Sequence, residues 1–170
     1  MHGLYWDLRL GVRTLRSTPA LGNGAKAGDP TPYAALLRVA RTLTPADVVY
    51  DVGCGAGRAC VVFATSGALV RGIEMSPAAA AAARRNGVSV IEGDARSADY
   101  AGATMLWFFN PFGPETLRAV LRRANALRVV YYNASDQHRA VLFEEGYAVH
   151  DSELVGDYAV LDYQRAPPVP

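Results

Sequence analysis

The sequence is poor in cysteine: Cys54 and Cys60 are the only two, which excludes a disulfide framework and the paired-cysteine spacings of a zinc site. None of the three histidines is spaced as a metal ligand against another, so no metal is assigned. Lysine is nearly absent, with Lys26 the sole lysine among 17 basic residues. These meet 16 acidic residues for a formal charge of +1, which gives no electrostatic case for a nucleic-acid or membrane surface. No apolar run approaches the roughly 20 residues a membrane-spanning helix requires. Met1–Gly28 lacks a continuous apolar stretch and a small-residue cleavage pattern, so no secretory leader is expected. These absences predict a reduced, soluble, cytoplasmic domain.

What is present is a chain of 170 residues, 51% hydrophobic and 19% charged, enough for one domain with a proper core. From Val48 onward, apolar runs alternate with helical patterns: Val48–Val52, Leu69–Glu74, Val88–Glu92, Met105–Asn110, Arg128–Asn133, Tyr147–Asp151 and Tyr158–Tyr163. Continuous apolar runs suit strands buried on both faces, so the expected fold is α/β, doubly wound around a mostly parallel seven-stranded sheet. Only Ser152–Asp157 separates the last two runs, which predicts a hairpin and an antiparallel C-terminal strand. Helix ends are readable at Ser76-Pro77, which opens a helix closing near Asn86-Gly87, at Pro114-Glu115, and at Ser135, whose helix ends by Gly146. Thr31-Pro32 opens another, with Leu36, Leu37, Ala40 and Leu43 on one face. Gly93–Thr104 is too short for a full crossover helix. The division expected is an N-terminal helical segment or lid over 1–47 and a ligand-binding core over 48–165. Leu4, Leu8, Val12 and Leu15 supply helical spacing in the first segment, Thr18–Asp29 is a small-residue linker able to hinge it, and Ala166–Pro170 reads as a frayed tail.

The sharpest motif is Asp51-Val52-Gly53-Cys54-Gly55-Ala56-Gly57-Arg58, set between a strand and a helix. Alternate glycines allow a tight turn and close approach of a ligand to the backbone. A Walker loop is excluded because Gly57-Arg58-Ala59 stands where Gly-Lys-Ser/Thr is needed. The dinucleotide fingerprint fails because Arg58 holds the position of its third glycine, which disfavours a nicotinamide-dependent oxidoreductase.

Instead, the loop resembles the first motif of class I, Rossmann-like S-adenosylmethionine-dependent methyltransferases, D-x-G-x-G-x-G, matched at Asp51, Gly53, Gly55 and Gly57. The resemblance implies that the glycines pass the methionine part of the cofactor and that Asp51 binds its ammonium group. It implies that Glu74 takes the ribose hydroxyls, and that Asp94, with the backbone beside it at Ala95, reads the adenine. Asn110-Pro111-Phe112-Gly113 stands where the family's catalytic or substrate-facing motif lies. Amino-methylating members often read Asn/Asp-Pro-Pro-Tyr/Phe there; this chain has one proline fewer and its aromatic one place early. Asn110, Pro111 and Phe112 are the expected catalytic residues, with nitrogen favoured as acceptor, and the alternative for Phe112 is core packing. With Tyr131-Tyr132-Asn133, the motifs resemble a group of small stand-alone methyltransferases in which a segment before the first motif closes over the cofactor. Tyr33, in Asp29-Pro30-Thr31-Pro32-Tyr33, is the candidate for that role, the alternative being simple packing at the helix entrance. The implied cofactor is S-adenosylmethionine. Protein side chain, small molecule and nucleobase are all open as acceptor, with the near-neutral charge weighing modestly against nucleic acid, and the alternative function is a non-catalytic cofactor-binding regulator of the same fold.

Overall fold

The apolar runs form a single seven-stranded sheet in the computed structural model, which describes residues 2–15 and 30–165. The strands are β1 (Val48–Val52), β2 (Leu69–Glu74), β3 (Val90–Glu92), β4 (Met105–Phe109), β5 (Arg128–Tyr132), β6 (Tyr147–Val155) and β7 (Tyr158–Arg165). Among the described residues six helices accompany them: α1 (His2–Leu10), α2 (Tyr33–Ala40), α3 (Arg58–Ala64), α4 (Pro77–Arg85), α5 (Pro114–Ala124) and α6 (Asp136–Glu144). The spatial order is β3-β2-β1-β4-β5-β7-β6. The first five strands pair in parallel, while β7 runs antiparallel to both β5 and β6. The doubly wound, mostly parallel sheet with an antiparallel C-terminal hairpin is therefore present.

Side-chain alternation divides each central strand between two cores. Tyr50, Leu106, Phe108, Val129 and Tyr131 face the layer holding Leu117, Val120 and Leu121 of α5 and Leu142 of α6. Val49, Met105, Trp107, Val130 and Tyr132 face the layer of α2 and α3, with Leu36, Val39 and Phe63. Because the chain order turns back between β1 and β4, the helices that follow them, α3 and α5, lie in opposite layers; in open α/β sheets the crevice at such a switch point is the usual ligand position.

Several boundaries depart from the sequence reading. β3 starts at Val90 rather than Val88, whose side chain is instead packed against Gly57. β4 and β5 each end one residue earlier, because Asn110 and Asn133 turn to φ 46° and 64°. The hairpin strands run longer than expected, leaving only Gly156-Asp157 as the turn, with Gly156 at φ 65°. No helix forms over residues 93–104, as their shortness implied. The largest difference is at the N-terminus, where α1 stops before Gly11 and its leucine stripe faces outward: Leu8 is 74% exposed, and Leu4 and Leu15 are exposed too. Trp6, Asp7 and Leu10 turn inward instead. The linker Thr18–Asp29 and the tail Ala166–Pro170 lie outside the described residues.

Candidate functional site

The glycine loop leaves β1 at the crevice and doubles back under hydrogen bonds from Gly53 and Cys54 N–H to the Ile73 carbonyl, 2.8 and 3.0 Å. Gly53 has φ 81°, and a Cβ there would lie 2.6 Å from Cβ of Pro111. The loop after β1 and the loop after β4 are thus in contact, and only glycine permits it. Gly57, at φ 84°, caps α3, and a Cβ on it would meet Val88 at 2.6 Å.

Asp51 ends up buried, 4% exposed, with the Cys60 thiol donating to its carboxylate at 3.4 Å. Burial pushes its carboxyl up to about 7; the thiol hydrogen bond works against this and the nearby Glu74 charge adds to it. A buried acid with no cation beside it is expensive to ionise, and an incoming ammonium group would reverse that. At Cys54 the Cys60 side chain works downward, but burial together with the Asp51 and Glu74 charges raises the thiol; at Cys60 the Cys54 side chain, burial and the Asp51 charge all raise it. Both are buried packing residues, and Gly72 leaves them room, since a Cβ there would sit 2.5 Å from the Cys54 sulfur.

Glu74 lies at the end of β2 with its carboxylate held on both sides. Oε2 accepts from Gly55 N–H and Oε1 from Ser76 N–H, each at 2.8 Å. Each oxygen keeps acceptor capacity for a diol, and the orientation is set in advance. Its neighbour across the register, Glu92, is engaged by Arg84 at 2.8 Å. Asp94, after β3, is gripped by the Arg96 guanidinium at 2.5–3.1 Å and by the Arg96 N–H at 2.8 Å. The Arg96 hydrogen bonds hold its carboxyl below the ordinary range. Ala95 is buried, and its carbonyl accepts from the Tyr100 hydroxyl at 2.9 Å.

The loop after β4 brings Asn110 and Pro111 to the same crevice, but Phe112 is turned away from it. Its ring is 8% exposed and packs edge-on against Phe108 in the core, 5.8 Å between centroids. The structure thus places Phe112 in the core-packing position that was the alternative for it. The Phe112 carbonyl accepts from Nε2 of the buried His138 at 2.9 Å.

Tyr33 does not open onto the crevice either. Its ring is buried, stacked on Trp6, and lies under the Arg58 guanidinium at 4.7 Å. Its hydroxyl donates to Asp7 at 2.5 Å. Burial and that hydrogen bond push the phenol up to about 12. Asp7 also accepts from Thr14 N–H and Oγ1, both 2.6 Å. Arg58 donates to Thr14 Oγ1, Thr14 O and Thr31 O at 2.7–3.0 Å. Burial works to raise the Asp7 carboxyl, but the Thr14 and Tyr33 hydrogen bonds and the Arg58 charge hold it below its ordinary value. Asn86, closing α4, ties the Arg13 backbone to the Ala56 carbonyl. The sequence reading missed Asp7, Arg58, Asn86 and His138. A lone acid in an apolar and basic segment was the available signal for Asp7, and an arginine in place of a glycine was the signal for Arg58.

Sheet order and the paired parallel strands define the class of fold, a Rossmann-like methyltransferase fold, with the glycine loop and strand-end carboxylates forming a candidate site where β1 and β4 meet. A search of curated proteins gave no match. Residues 49–131 match the family model of a methyltransferase domain. Among solved structures, an RNA methyltransferase of Salinibacter ruber in complex with S-adenosylhomocysteine superposes with TM-score 0.66 at 24% identity, over 83% of this chain and 96% of that one. The magnesium protoporphyrin IX methyltransferase of Synechocystis PCC 6803, with bound S-adenosylmethionine, gives 0.63 at 18% identity over 79% and 77%. A TehB-like methyltransferase of Corynebacterium glutamicum gives 0.60 at 14% over 78% and 88%. Over residues 49–131 the chain is thus similar to methyltransferase domains, and its fold is that of the S-adenosylmethionine-dependent methyltransferase structures it superposes on. No described helix is long and apolar enough to cross a membrane, and no group of three or more His, Cys, Asp or Glu among the described residues is placed to hold a metal ion.

Proposed function

We propose that this chain transfers a methyl group to a nitrogen of a protein or small molecule, with the cofactor lying across the β1/β4 crevice. The observation that carries the reading is Glu74, whose carboxylate is oriented at the strand end by the Gly55 and Ser76 N–H groups. When bound, the cofactor would supply an electrophilic methyl carbon on a sulfonium, whose C–S bond would break, its electrons returning to sulfur, as the acceptor lone pair formed the C–N bond. The residues of the chain would bind and orient. Glu74 would hold the ribose hydroxyls, Asp51 the ammonium group, and Gly53, Gly55 and Gly57 would pass the methionine portion. Asp94 and the Ala95 backbone would take the adenine edge, with Asp94 shared between that edge and Arg96. On the acceptor side, the Asn110 side-chain oxygen and the Pro111 carbonyl accept hydrogen bonds from the nitrogen and aim its lone pair; the nitrogen loses its proton to water late in the reaction. Most of the acceleration then comes from alignment, which is worth several kcal/mol. Tyr33 and Phe112, both buried, support the walls rather than touch the reactants.

Isothermal calorimetry with S-adenosylmethionine and S-adenosylhomocysteine tests the cofactor half; absence of binding at high micromolar concentration would overturn it. Transfer of radiolabelled methyl groups into fractionated extract tests the acceptor half, with label expected in protein or small molecules. The Salinibacter neighbour acts on RNA, so label in the nucleic-acid fraction is the outcome that would replace this acceptor class.

A further inference from the structure

We propose that His138 is a positioning residue for methyl transfer, holding the loop that carries Asn110 and Pro111 by the carbonyl of Phe112. The inference rests on the proposed function, because that loop is assigned there to the acceptor.

His138 lies in the first turn of α6, 1% exposed, with its ring 5.2 Å from that of Tyr131 at the end of β5. Both ring nitrogens are engaged. Nδ1 lies 2.7 Å from Oγ of Ser135, the residue that caps α6, and Nε2 lies 2.9 Å from the Phe112 carbonyl oxygen. A carbonyl can only accept, so Nε2 carries the proton, and the tautomer is fixed by the loop it holds. The Asn110–Gly113 loop also rests on Pro111 against Gly53 and on the Phe112 ring against Phe108. Asn110 itself is at φ 46°, in the left-handed region that asparagine adopts more readily than most residues but that neighbours must still define. The His138 contact is a polar restraint on the loop at the residue two places after Asn110. A histidine needed only to finish the α6 cap would use Nδ1 alone.

The two roles can be separated chemically. Glutamine places an amide N–H near the position of Nε2, whereas asparagine places its amide near that of Nδ1. His138→Gln keeps the hold on Phe112 and loses the Ser135 contact; His138→Asn does the reverse. Ser135→Ala removes the cap partner and leaves Nε2 alone. Calorimetry with S-adenosylmethionine should give affinities within about twofold of wild type for all three variants. The initial rate of labelling, in the extract fraction that wild type labels, should stay within a few-fold for His138→Gln and Ser135→Ala. It should fall about tenfold or more for His138→Asn, the scale expected when reacting groups are displaced. Equal rates in the asparagine and glutamine variants would overturn the proposal. A second measurement needs no variant to fold: nitrogen-15 NMR of the wild-type protein should show a solvent-protected proton on Nε2 of one histidine, and a bare Nε2 at His138 would overturn it as well. Wild-type protein that binds neither S-adenosylmethionine nor S-adenosylhomocysteine sinks the proposed function itself, a result distinct from either of these.

Discussion

Asp51 shows how a buried carboxyl can burden the folded protein. Its carboxyl is pushed up to about 7 from an ordinary 3.8 by burial. In the unfolded chain it ionises near pH 4, so from about pH 4 to about pH 7 the unfolded state has released a proton that the folded state retains. Stability therefore falls with rising pH across that window, and the full deficit is present above it. Asp51→Asn should raise the urea midpoint at about pH 8 and lose most of that advantage at about pH 4, while weakening S-adenosylmethionine binding in calorimetry. Glu74 differs in having backbone donors already bound to it in the free protein. Glu74→Ala should reduce cofactor affinity by about 1–3 kcal/mol, the loss of charge-assisted hydrogen bonds to the ribose. An unchanged affinity in the titration would place the ribose elsewhere. Both acids were legible in the sequence from their positions at strand ends. Their environments were not, since Cys60 reaches Asp51 and Gly55 reaches Glu74 only once the loop has closed on β2.

Among the elements, α1 departs most from its own pattern. Leu4, Leu8, Val12 and Leu15 predict an inward stripe, yet Leu4, Leu8 and Leu15 are exposed and Asp7 is 3% exposed. Periodicity reports an apolar face correctly only when burial of that face dominates. Here the segment is oriented by polar contacts that converge from distant parts of the chain: Thr14, Tyr33 and Arg58 on Asp7, and Thr14 and Thr31 on Arg58. No window of local sequence contains that set. The consequence is that residues 2–15 are fastened to the first turn of α3, directly beside the glycine loop. Asp7→Ala leaves Arg58 buried beside an empty acceptor position and should cost roughly 3 kcal/mol in urea denaturation, within the range for breaking a buried pair. Adding Arg58→Met should restore part of that loss, because the stranded charge is gone; a double variant no more stable than the single would show that packing, rather than charge, sets the cost. The strands fared better than α1, since a continuous apolar run buried on two faces has one environment whichever way it is turned.

At the scale of the molecule, strand order converts separate motifs into one site. β2-β1-β4 are adjacent in the sheet and parallel, so Glu74, the glycine loop and Asn110 leave the same edge although far apart in sequence. The sequence revealed the number of strands and the antiparallel end from run lengths and one short connection. It did not reveal the contact of Pro111 with Gly53, which depends on the chain reversing its direction across the sheet at β1. That contact joins the loop after β1 to the loop after β4, so on the proposed reading occupancy of the crevice should stabilise the fold as a unit rather than one loop alone. A ligand that binds only the folded state adds about 2.7 kcal/mol at one hundred times its dissociation constant. For a domain in this size range, that corresponds to a rise in Tm of roughly 5–10 °C. S-adenosylmethionine and S-adenosylhomocysteine should each give a shift of that order with a single cooperative transition, and NAD(H) at the same concentration should give none. Gly53→Ala removes the permissive residue at the junction: its φ of 81° is retained only under strain, and the new Cβ would meet Pro111 at 2.6 Å. That variant should lose roughly 1–3 kcal/mol of stability, and its ligand-induced shift should shrink as well. A variant that lost stability but kept the full shift would show that the two loops respond to the cofactor independently, and the crevice would then have to be described as two sites that happen to touch.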